Sequence, residues 1–261
     1  MMNWISKTIW LTSVTLLAIA GCEQEQKQEQ KVDVSAPKPP YISRALEATG
    51  GLQPWTKTQR LEFDCVVAFY QQDGSYYLTK QHHEIHPWSN LIRISAQEPQ
   101  GEFIWEFSPD GMSVIEGTEQ GDFLPIGLGA EDFAKAILDI TTTPVRLLEG
   151  QAELIKGASP VKIEGRWYYP IERVRPDKPD SAPIRHKLVF YQNRNSSLVD
   201  MFWFAGIDRG TSLAVRGYNY QEVEKGGVFV PAKIEILMAD VHGVMQHRLV
   251  KIDYHLSRRA K

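Results

Sequence analysis

His82, His83, Glu84 and His86 stand almost side by side in the chain, and their side chains could hold a metal ion. On a strand, His82, Glu84 and His86 point to one side, and imidazole suits zinc or copper. A flat row on one strand does not make a tetrahedral cage, however, and a fourth ligand would have to come from elsewhere. The pattern is also not His-Glu-x-x-His on a helix. The residues therefore predict an exposed polar strand face, and no metal is assigned. Asp240 and His242 lie close in sequence, but no serine is placed to complete a triad. There is no Gly-x-Ser-x-Gly elbow, phosphate-cradling loop or Cys-x-x-Cys. Cys65 alternates with the apolar Phe63 and Val67, which reads as a buried core thiol rather than a nucleophile. No catalytic group and no cofactor emerge, so the chain reads as a non-enzyme, with a hydrolase or metal-dependent enzyme the least favoured class.

Cys22 offers a different chemistry. The apolar run Thr8 to Ala20 follows the single basic Lys7 and closes on Ile19-Ala20-Gly21-Cys22. The run is shorter than the roughly 20 apolar residues that span a bilayer. Small residues before a thiol leave an unhindered peptide bond and an accessible nucleophile. This stretch resembles the lipobox of bacterial lipoproteins. The resemblance implies a signal peptide over residues 1–21, cleavage between Gly21 and Cys22, and acylation of Cys22 with palmitate-type chains. The membrane is then a partner through the N-terminal lipid. Glu23 after the cysteine suggests the outer membrane, facing the periplasm.

The elements that must position any site follow a lipid tether. Residues 22–40 carry Glu, Gln, Lys and Pro and almost no apolar side chains, so they predict a disordered or extended tether. With Cys22 acylated, Cys65 has no disulfide partner, and stability must come from a hydrophobic core. The chain is 43 % hydrophobic with a net charge of −3, which leaves no basic field for nucleic acid. One domain is expected over residues 41–261.

Within that domain Ile42, Ala45 and Leu46 predict a short helix ended by Gly50-Gly51. Leu61, Phe63, Cys65, Val67 and Phe69 then recur at period two and predict a long half-buried strand. Ser75 to His86, Leu91 to Ala96, Phe103 to Phe107 and Met112 to Glu116 continue as an antiparallel meander. Ala130 to Ile140 interrupts it with Phe133, Ala134, Ile137 and Ile140 on one helical face. Strands resume from Val161 and run to His255, for about ten in all.

The notable excess is apolar. Phe103, Trp105 and Phe107 share a strand face. Leu198 to Ala205 is apolar on both faces except at Asp200, with Val199, Met201 and Trp203 on one side and Leu198, Phe202 and Phe204 on the other. One face of a simple antiparallel sheet should be wet. Either helices cover the second face as plain core, or a concave side lines an apolar cavity.

Two motifs, Ala48-Thr49-Gly50-Gly51-Leu52-Gln53-Pro54-Trp55 and Gly226-Gly227-Val228-Phe229-Val230-Pro231, together with the order of elements, resemble the LolA/LolB-like lipoprotein-carrier superfamily. The resemblance implies a mainly β fold: a curved antiparallel half-barrel with an N-terminal helix and a mid-chain helical insert as lid. It implies a lipid or lipoprotein acyl chain as ligand. Phe103, Trp105, Phe107 and Trp203 are the candidate cavity wall, with Phe133 and Ile137 as the closing face of the lid. The alternative is an envelope scaffold or protein-interaction lipoprotein with a filled core.

Overall fold

A computed structural model describes residues 38–97, 102–117, 123–148, 153–157, 159–174, 188–205, 212–223, 226–240 and 243–260. The signal segment, Gly21, Cys22, most of the tether and the proline-rich stretch 175–183 lie outside these residues. All the described residues belong to one compact unit.

The chain opens with two short helices, α1 (Pro40–Ala48) and α2 (Leu52–Thr56). A meander follows: β1 (Arg60–Tyr70), β2 (Tyr76–His86), β3 (Leu91–Ala96), β4 (Phe103–Ser108) and β5 (Gly111–Glu116). Helices α3 (Ala130–Thr141) and α4 (Thr143–Arg146) form the mid-chain insert. Short strands β6 (Glu153–Lys156) and β7 (Val161–Ile163) lead to β8 (Arg166–Val174) and β9 (Leu188–Asn193). The last four strands are β10 (Val199–Ala205), β11 (Ser212–Glu222), β12 (Phe229–Ala239) and β13 (Met245–Ala260).

Among the described residues these strands form a single antiparallel sheet, ordered β5-β4-β3-β2-β1-β13-β12-β11-β10-β9-β8-β6, with β7 paired to β8. The count is thirteen rather than about ten. The difference lies partly in β6, whose four residues are too few to display an alternation. The last strand also runs five residues past His255, to Ala260.

The period-two pattern places Leu61, Phe63, Cys65, Val67 and Phe69 of β1 on one buried face. The same face of β3 and β4 contributes Ile92, Ile94, Phe103, Trp105 and Phe107. Helix α3 lies against this face. It begins with Glu131 and Asp132 in its first turn, where the positive end of the helix dipole favours carboxylates.

The curvature of the sheet follows from what α3 touches. It meets β3, β4 and β5 on one side and β10, β11 and β12 on the other. Strands β4 and β10 are seven steps apart in the sheet order. At ~4.8 Å per step a flat sheet would separate them by roughly 34 Å. A helix is only about 10–12 Å across. The sheet must therefore curl around α3, and the apolar core occupies the trough between them.

The two glycine motifs of the sequence meet in space. Gly50 has φ 105°, and a Cβ added there would fall 1.5 Å from the carbonyl oxygen of Gly227. The Thr49 carbonyl accepts both the Trp55 indole N–H and the Phe229 amide at 3.1 Å each. This joint fixes α1 and α2 to the start of β12, and Trp55 is fully buried beside it.

Candidate functional site

The aromatic residues singled out in β4 and α3 converge under the insert. Phe103 and Trp105 stack at 4.3 Å between ring centroids. Phe133 of α3 lies 5.3 Å from Phe69 of β1. Phe123, from the loop that precedes α3, joins the two groups, 5.1 Å from Phe69 and 5.5 Å from Phe103. Such tilted and stacked pairs add about 0.5–1.5 kcal/mol each beyond the area they bury. Phe107 and Ile137 belong to the same core cluster. Phe69 and Phe123 complete the site although the sequence reading did not place them in it. Phe69 ends the alternating run of β1, and Phe123 opens the apolar loop, so both carried a signal.

The loop before α3 is docked rather than free. Phe123 and Leu128 are buried, and Gln71 Nε2 donates to the Phe123 carbonyl at 2.9 Å. Ile126 remains 60 % exposed at its tip. Gly127 has φ 92°, a conformation glycine adopts without the steric cost a side chain would bring. The space left between α1, α3, α4 and the strands beneath is about 10 Å³. At the candidate site itself Phe69, Trp105 and Phe133 are fully buried, so side chains fill the space beneath α3.

Trp203 is not part of this wall. It lies on the outer face of the sheet with Val189, Ala214 and Ala239, and its indole donates to the Asp240 carbonyl at 3.2 Å. The expectation that Trp105 and Trp203 face each other across one concavity is therefore corrected. Phe202 and Phe204 take the inner face of β10, so the alternating Trp203 falls on the outer one, and a β-bulge between Val199 and Met201 changes only the side of Val199. Simple alternation groups Val199 with Met201 and Trp203. The extra residue at the bulge instead turns Val199 inward with Phe202 and Phe204, and Trp203 stays outside.

The histidine row divides between the two faces. His82 Nδ1 meets Asp64 Oδ1 at 2.7 Å, and His86 Nε2 meets Glu84 Oε1 at 2.8 Å. His83 points inward and is fully buried. Its Nε2 lies 2.8 Å from Gln81 Oε1, and its Nδ1 lies 3.2 Å from the Tyr254 hydroxyl. Burial pushes the His83 imidazole down to about 3, because the charged form loses its hydration. Cys65 lies 3.6 Å from the same ring, and burial pushes its thiol up. Among the described residues no three His, Cys, Asp or Glu side chains are grouped to hold a metal ion.

The outer face bears one charged residue in an apolar strand, Asp200. It is 8 % exposed, and burial raises its carboxyl to about 6, partly offset by Asn193 and Arg166. It lines a cleft of about 380 Å³ with Arg166, Asn193, Asn195, Tyr218 and Tyr220. The sequence reading noted Asp200 only as the exception to an apolar run, which was the available signal.

No protein-family profile and no curated relative matches the chain. Solved structures do resemble it over most of its length. A DUF1329 family protein from Desulfovibrio piger is 10 % identical, covers 84 % of this chain and 91 % of its own, and superposes with a TM-score of 0.47. A LolA superfamily protein from Nitrosomonas europaea is 15 % identical over 85 % and 92 % of the two chains, with a TM-score of 0.49. An outer membrane lipoprotein-sorting protein domain from Vibrio parahaemolyticus is 9 % identical over 84 % and 94 %, with a TM-score of 0.44.

Proposed function

We propose that the protein is a lipid-anchored binding protein of the bacterial envelope, and that it takes an acyl chain into the trough of its curved sheet by displacing the insert. The position of α3 carries this reading. Among the described residues, α3 fills a space where the sheet offers apolar wall from both halves, and it enters that space through a loop with a glycine turn at Gly127. Most of α3 is buried, with Phe133, Ile137, Leu138 and Ile140 in the core, so an acyl chain that displaces it must offer comparable apolar area, at roughly 25 cal/mol per Å². A second reading has its own observation in the complete burial of Phe69, Trp105 and Phe133, which suits a filled scaffold that binds protein partners instead.

A fluorescent fatty acid titrated into the full chain separates the two. Saturable binding that weakens in Phe133→Asp, with a smaller loss of thermal stability than in Phe63→Asp, supports the displaceable insert. Equal unfolding by both substitutions, with no fluorophore bound by the wild type, would favour the filled scaffold.

A further inference from the structure

The cleft around Asp200 has features that a packing role does not explain. The ladder between β10 and β11 runs only from Met201↔Arg216 to Ala205↔Ser212. Past that level β11 stays paired with β12 as far as Glu222↔Phe229, and β10 stays paired with β9. The two strands therefore part within the sheet. Both carry an irregularity where they separate. β10 has its bulge between Val199 and Met201. β11 has Asn219 at φ 51°, uncommon for a residue with a side chain. Bulges and left-handed residues concentrate where strands are shaped to receive a ligand.

The parting strands are still joined by one side chain. The Tyr220 hydroxyl donates to the Val199 carbonyl at 3.3 Å. Tyr220 and Val199 also line the small gap beneath α3 and α4, so Tyr220 separates the outer cleft from the apolar interior. Asp200 faces outward with Asn193, whose Nδ2 donates to its Oδ2 at 3.3 Å. The other carboxyl oxygen, Oδ1, is buried without a well-formed hydrogen bond, although the Tyr168 hydroxyl and the Arg166 guanidinium lie near enough to the carboxyl to favour its charged form. A buried acceptor without a donor is rare in folded proteins and unfavourable.

The cleft composition narrows what could supply that donor. One guanidinium, Arg166, and one carboxyl, Asp200, leave no charge excess for a polyanion or polycation. The side chains of Asn195 and Ser196 bring donors and acceptors to the rim, while Leu198 and the bare backbone of Gly217 leave apolar wall. A ring that carries hydroxyls on its edge and C–H groups on its face matches this mixture. The volume lies near the lower end of small-molecule sites, which run ~300–1,000 Å³.

We propose that the cleft binds a neutral, hydroxyl-rich ligand of the saccharide class, with one ligand hydroxyl donating to Asp200 Oδ1. The site is distinct from the interior acyl-chain site and does not depend on it. Because the Asp200 carboxyl is raised to about 6, its acceptor form dominates at neutral pH and binding should weaken in mild acid.

Saturation-transfer NMR on the full chain tests this with glucose, N-acetylglucosamine and maltose as probes and with glycerol and inorganic phosphate as controls. At least one saccharide should receive magnetisation on its ring protons and saturate. Its affinity should fall by about tenfold or more in Asp200→Ala, as expected when a buried polar pair is broken, and by about threefold or more in Asn195→Ala, which removes a rim hydrogen bond. Asn195 sits in an exposed turn, so Asn195→Ala keeps the fold and decides the matter if Asp200→Ala does not fold. Absence of transfer to every saccharide, equal transfer to glycerol, or unchanged affinity in Asn195→Ala overturns the proposal.

Discussion

Two buried titratable side chains, Asp200 and His83, push the pH dependence of stability in opposite directions. Asp200 is raised from 3.8 to about 6 by burial. Its folded form thus holds a proton more tightly than the unfolded chain, and the stabilising contribution is complete below about 3.8 and lost as pH rises through about 6. Asp200→Asn fixes the neutral form. Its gain over wild type should be near zero at pH 4 and grow to roughly 1–3 kcal/mol by pH 7, read as a denaturation midpoint. His83 is lowered from 6.5 to about 3. Its contribution is present above about 6.5 and is lost as pH falls toward 3, because the unfolded chain takes up the proton first. His83→Gln should remove this loss and leave stability falling with rising pH through the Asp200 titration alone. Between pH 4 and 6 the two effects oppose each other, so the wild type should vary less with pH than either variant. A wild-type curve steeper than both would contradict the assignment.

At the scale of elements, the joint between Gly50 and Gly227 decides whether the N-terminal helices stay on the sheet. A methyl group at Gly50 would overlap a carbonyl oxygen 1.5 Å away and would sit on a backbone with φ 105°. Gly50→Ala should therefore cost roughly 3 kcal/mol or more, within the range reserved for named structural defects. The loss should appear as a lower thermal midpoint with early exposure of Trp55 fluorescence. Gly74→Ala, whose Cβ would meet nothing within 4 Å although its φ is 84°, should cost less. Most of these elements were legible in the sequence, because alternation in β1 and helical spacing in α3 report directly which side faces the core. The glycine motifs were legible too, but separately, since nothing in a linear pattern says that Gly50 rests on Gly227. The bulge at Asp200 was not legible. One extra residue reverses the inward and outward assignment of Val199, while Trp203 was expected in the wrong wall because alternation alone does not say which face of a strand is concave. The parting of β10 from β11 depends on pairings across the sheet and leaves no local trace except a lone aspartate.

For the whole molecule, the lipid anchor remains a proposal that rests on Ile19-Ala20-Gly21-Cys22. Wild-type protein should incorporate a labelled fatty acid and fractionate with the outer membrane. Cys22→Ser should take up no label and accumulate as a longer precursor; retained label would remove the anchor from the account. The strand order has a further consequence, which concerns time. The first and last strands of the fold, β1 and β13, pair along most of their length near the middle of the sheet, from Arg60↔Ala260 to Phe69↔Val250. Their partners are up to about 200 residues apart in the chain. Closing so long a loop is entropically slow, and synthesis supplies β13 last. Until that strand arrives, β1 has only β2 beside it and β12 only β11. A nascent chain therefore cannot complete this sheet until β13 has emerged, so the meander from β1 to β5 and the strands from β8 to β12 must wait for it to be joined.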